Sequence, residues 1–82
     1  MNRDEAMGAV NHLRASIARL EGPVRRLGMP LDLAPFRERV DGLERMAQHA
    51  DYPVVVKMVL QRAVRISRAL DDAIADAKAR VN

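Results

Sequence analysis

Apolar residues recur along this chain at intervals of three and four, in three separate stretches. In the first, Met7, Val10, Leu13, Ile17, Leu20, Val24 and Leu27 are separated by gaps of 3, 3, 4, 3, 4 and 3. At about 100° per residue these positions form one stripe on an α-helix, close to a coiled-coil seam. The spacing predicts a helix over about residues 3–27, capped by Asn2 or Asp4 and closed by Gly28, with Pro30 beyond it. Gly22-Pro23 interrupts the pattern. A proline inside a helix removes a hydrogen bond and collides with the preceding turn, yet Val24 and Leu27 keep to the stripe. Either the helix kinks there, or it stops near Glu21 and restarts; a break or kink near Pro23 is expected.

The second stretch predicts a helix over about residues 33–50. Its seam is Leu33, Phe36, Val40, Leu43, Ala47 and Ala50, with Met46 on the edge. Asp32 is placed to cap it, Leu31 and Phe36 to form a hydrophobic staple, and Pro35 is tolerated in the first turn, where N–H groups have no intrahelical partner. On the polar side Arg37 and Asp41, then Asp41 and Arg45, stand at i,i+4.

The third stretch predicts a helix over about residues 52–81, with Asp51 as cap and Pro53 in the first turn. Its seam is Val56, Val59/Leu60, Ala63, Ile66, Leu70, Ala73/Ile74, Ala77 and Val81. Val54-Val55-Val56 is β-branched, but a strand there has no second strand to pair with.

Together these stretches predict an all-α fold: one domain over residues 1–82, a three-helix antiparallel bundle with a long C-terminal helix. Lengths then suggest a partner. The second helix spans roughly 27 Å and the third roughly 45 Å, so the segment from Leu70 to Val81 overhangs it. Leu70, Ala73, Ile74, Ala77 and Val81 would then present an apolar stripe to water. At the other end Val54, Val55, Val56, Met58, Val59 and Leu60 lie on nearly every side of the helix, which is the mark of burial all round. Either Tyr52 and the bundle end close over this turn, or another chain does. Val54, Val55, Met58, Leu70, Ile74, Ala77 and Val81 are therefore the expected apolar partner-binding residues.

Composition sharpens that expectation. The chain has 82 residues with only one Phe and one Tyr, and its seams are rich in alanine, so the core is thin. Completing it by oligomerisation, as a homodimer or with a different protein, adds buried apolar area. No cysteine is present, which excludes disulfides, thiolate metal sites and cysteine catalysis. Asp4 and Glu5 sit where a signal peptide needs a basic start, and no apolar run approaches a membrane span. A cytoplasmic protein with no membrane association is expected.

Charge adds a second candidate surface. The formal net charge is +3, from 14 Lys+Arg and 11 Asp+Glu. Lys57, Arg62, Arg65 and Arg68 form an acid-free run on an arc of roughly 140°, nearly opposite the seam. Downstream, Arg68–Asp72 and Asp76–Arg80 can pair at i,i+4. Arg25 and Arg26 make a smaller basic cluster. These six cations are the candidate contacts for an anionic partner, nucleic-acid phosphates included. Solvated charge on an amphipathic helix is the plainer explanation, because no aromatics are interleaved for base stacking.

Catalytic chemistry is not expected. His12 and His49 have no second ligand at metal spacing on their own helices, and Leu13 follows His12 where a phosphotransfer site wants an acid. The serines, Ser16 and Ser67, lie in no nucleophile motif, there is no phosphate-binding glycine loop, and the acids Asp71, Asp72 and Asp76 imply no pocket. Gly8 and Gly42 are isolated helix glycines, and among the methionines Met58 stands off the seam. No cofactor and no small-molecule substrate are implied. The expected function is a helical protein–protein interaction module of adaptor, accessory or inhibitor type, and the alternative is a nucleic-acid-associated protein.

Overall fold

A computed structural model describes residues 2–81 as three helices: α1 (Arg3–Leu27), α2 (Ala34–Gln48) and α3 (Pro53–Val81). Each packs against both others, giving a bundle of about 46 × 18 × 15 Å. The seams meet in one core. Ala6, Val10, Leu13 and Ile17 come from α1; Phe36, Val40, Leu43 and Ala47 from α2; Val56, Val59, Ala63, Ile66 and Leu70 from α3. Leu33 and Ala50, in the two connections, are buried with them. No polar or charged residue is buried among the described residues.

The helix ends follow local chemistry. Asn2 caps α1, its side-chain oxygen accepting from the Glu5 N–H at 3.0 Å. α1 closes on Gly28 at φ 61°, with Met29 N–H donating to Val24 C=O at 3.0 Å and Gly28 N–H to Arg25 C=O at 3.4 Å. That pair of bonds is a Schellman closure. A Cβ on Gly28 would touch nothing, so Gly28→Ala should cost only the left-handed backbone penalty, about 1 kcal/mol. A melting temperature lower by roughly 4–8 °C is the expected readout.

Several local expectations are corrected. α1 is one continuous helix from Arg3 to Leu27 with Pro23 inside it, so of the break or kink expected near Pro23 the break does not occur. Pro23 lies one turn from the helix end, and the carbonyl that loses its donor belongs to exposed Arg19, where water can reach it. Leu33 occupies the N-cap position of α2, and Asp32 instead accepts from Ala34 N–H at 3.0 Å. Asp51 pairs with Arg3 of α1 rather than capping α3, which begins at Pro53. Tyr52 is 69% exposed and closes nothing.

The larger correction concerns the overhang. α1 has 25 residues, and in an up-down-up bundle it runs parallel to α3. Arg3 meets Asp51 at one end, and Leu27 and Met29 lie beside Lys78 and Val81 at the other. The second half of α1 therefore covers the part of α3 that outruns α2. Leu70 is 3% exposed and Ala77 1%, while Ala73 and Ile74 are half-buried against the core. Leu70 and Ala77 are core residues of this chain, not residues left for a partner.

Candidate interaction surface

With the overhang closed, the apolar positions left in water are few. Val54 (64% exposed), Met58 (39%) and Val64 (49%) lie on the outer side of α3. Val55 is half-buried. Val81 and Leu27 are exposed at the far end of the bundle. The β-branched turn of α3 thus divides: Val56 and Val59 enter the core, and Val54 and Met58 face out.

The cations divide too. Arg14 of α1 bridges to α2, with Asp41 at 2.9 Å and Glu44 at 2.8 Å. The hydrogen bond to Asp41 is the largest influence holding the Arg14 pKa above its ordinary value; desolvation opposes it, and Glu44 reinforces it. Arg37 pairs with Glu21 across the same interface at 2.6 Å. The i,i+4 pairs expected along α2 are thus replaced by pairs between helices, because Arg14 and Glu21 of α1 reach the same acid and base. Asp76–Arg80 forms as expected, at 3.0 Å. Such exposed pairs each contribute at most about 1 kcal/mol; here they fix how α1 lies on α2.

Lys57, Arg62, Arg65 and Arg68 are exposed and have no ion pair among the described residues, so the expected Arg68–Asp72 pair is not formed. Arg25 and Arg26 are likewise exposed, but they occupy the last turn of α1, where positive charge suits the helix dipole. They are level with the end of α3 and so lie roughly 15–20 Å along the bundle from Arg65. The six candidate cations therefore do not form one site.

Arg62 and Arg65 instead meet a residue that sequence reasoning passed over. A groove of about 400 Å³ between α2 and α3 is lined by Arg39, Gly42, Leu43, Arg62, Arg65 and Ile66. Its walls are the edges of core residues Leu43 and Ile66. Arg39 sits 5.5 Å over the Phe36 ring, a cation–π contact that helps hold its guanidinium in place. Arg39 has no ion pair among the described residues. A Cβ added at Gly42 would meet only the end of the Arg45 side chain, at 3.6 Å, so this glycine is not required by any close packing. No spacing in the chain could reveal the site, because it joins two helices packed side by side.

His12 and His49 are exposed on α1 and at the end of α2. No helix is long and apolar enough to cross a membrane among the described residues.

No protein-family model, curated protein or solved structure matches this chain.

Proposed function

We propose that this chain is a protein–protein interaction module that acts by binding, with the outer side of α3 and its border with α2 as the contact surface. The observation that supports this most is the clustering of positive charge on one face. Lys57, Arg62, Arg65 and Arg68 lie exposed together on the outer side of α3, no acid interrupts the run between them, and none has an ion pair among the described residues. A face of this kind attracts and orients a negatively charged partner. Val54, Met58 and Val64 interrupt the charge with apolar area. A phosphodiester backbone would leave that area in water, while a protein surface can cover it.

The nucleic-acid alternative draws on the same cations, since no acid interrupts the run from residue 57 to residue 68. Self-association draws on Tyr52, Val54 and Met58, all exposed near the start of α3. It has lost its main support, because the stripe from Leu70 to Ala77 is covered by α1.

Crosslinking in the native cell, followed by mass spectrometry, distinguishes the three. Wild-type protein is compared with the double variant Arg62→Glu/Arg65→Glu, whose helicity is checked by circular dichroism. The expected result is a protein adduct that the double variant loses. A nucleic-acid adduct lost in the same way would transfer the assignment to the alternative. A crosslinked homodimer as the principal product would assign the surface to a second copy.

A further inference from the structure

We propose that the groove between α2 and α3 receives an acidic amphipathic helix of a partner protein, with an apolar side chain of that helix over Gly42 and its flanking carboxylates on Arg39, Arg62 and Arg65. This rests on the interaction function above and names the partner's chemistry.

Three observations carry it. The groove combines an apolar floor with an arginine rim: Leu43, Ile66 and the bare backbone of Gly42 lie between Arg39 on α2 and Arg62 and Arg65 on α3. An isolated carboxylate or phosphate satisfies the rim and wastes the floor, and a purely apolar segment does the reverse. A helix with an apolar anchor flanked by Asp or Glu three or four residues away satisfies both. Guanidinium groups also match carboxylates in paired hydrogen bonds.

The second observation is the direction of the groove. α2 and α3 are antiparallel neighbours, and α1 packs against both. The groove is therefore on the outer side of the α2–α3 pair, away from α1, where a further helix can lie across both. Helix packing into grooves at 8–10 Å between axes is the ordinary way to fill such a site. By helical register Val54 and Met58 stand on the line that leads to Arg62 and Arg65, so the apolar track continues past the groove.

The third is Gly42 itself. A glycine in mid-helix costs about 1 kcal/mol relative to alanine. Nothing in this chain packs closely enough to demand it. Unlike Gly8, which is likewise uncrowded but lies on α1, Gly42 is part of the groove lining, where its missing side chain leaves room for an incoming one.

The test uses the full 82-residue chain, isotope-labelled for two-dimensional NMR. The probe is a synthetic helix of about 20 residues with leucines at i, i+4 and i+7 and glutamates beside them. Controls are a scrambled peptide of the same composition and a 20-base-pair DNA duplex. The expected result is saturable shifts of the Gly42, Leu43, Arg62 and Ile66 amides, at least tenfold weaker with the scrambled peptide. Gly42→Leu should weaken binding at least tenfold while the melting temperature stays the same or rises. Gly8→Ala should leave binding unchanged, because Gly8 lies on α1 away from the groove. Equal binding of the scrambled peptide, indifference to Gly42→Leu, or no shifts at millimolar peptide would each overturn the groove assignment. Such a result leaves the interaction function standing if the Arg62→Glu/Arg65→Glu variant still loses its crosslinked partner. Tighter binding of the duplex, falling linearly on a log–log salt plot, would overturn the acidic helix in favour of phosphates.

Discussion

Leu70→Asp should unfold this chain in dilute buffer, and Leu70→Ala should lower its stability by about 2–5 kcal/mol. Leu70 is 3% exposed and belongs to the core shared by the three helices. A carboxylate there has no buried polar partner, because no polar or charged residue is buried among the described residues. Marginal stability near 0.05–0.15 kcal/mol per residue makes even the alanine change a large fraction of the whole. Val81→Asp is the comparison, since Val81 is 51% exposed on the same helix and its change should stay within about 0.5 kcal/mol. Urea denaturation of the three proteins reads this directly. Equal and small effects of Leu70→Ala and Val81→Asp would mean that α1 does not cover the second half of α3 in solution.

Pro23→Ala should stabilise the chain by about 1–2 kcal/mol. Inside a helix proline is about 3 kcal/mol less favourable than alanine. Part of that is offset here, because proline also restricts the unfolded chain, by up to about 1 kcal/mol, and because the freed carbonyl of Arg19 is at the surface. Val24 and Leu20, on either side, already pack against the core, so the helix need not move to accept alanine. Thermal melts should show a rise of roughly 5–15 °C. A fall would mean that proline's restriction of the unfolded chain outweighs the helical hydrogen bond it removes.

Core and surface positions bear on function in different ways. Leu70 and Ala77 are buried in the bundle, and substitutions at them would abolish binding only by unfolding it. Arg62, Arg65 and Gly42 are at the surface or the groove, and substitutions there separate binding from folding.

The chain's own pattern determined the number of helices, their approximate bounds and their inward faces, because helical periodicity is a local property read from the spacing of apolar residues. Asn2, Gly28 and Pro53 mark helix ends by chemistry confined to a few neighbours, and those too were legible. The pattern also located Lys57, Arg62, Arg65 and Arg68 on one outer face, since that follows from register alone. Whether Pro23 ends the first helix was not fixed by local rules, because the cost of an interior proline falls where the freed carbonyl is at the surface, as at Arg19 one turn from the break expected there. The lengths of α2 and α3 alone imply an overhang that does not exist, because burial depends on every helix alongside and α1 flanks the second half of α3. Only the tertiary structure decided that α1 covers Leu70 and Ala77, that Arg14 and Arg37 pair between helices, and that Arg39 joins Arg62 and Arg65 around Gly42. Each of these depends on distances between residues far apart in the chain, which helix packing sets and no single helix's periodicity encodes.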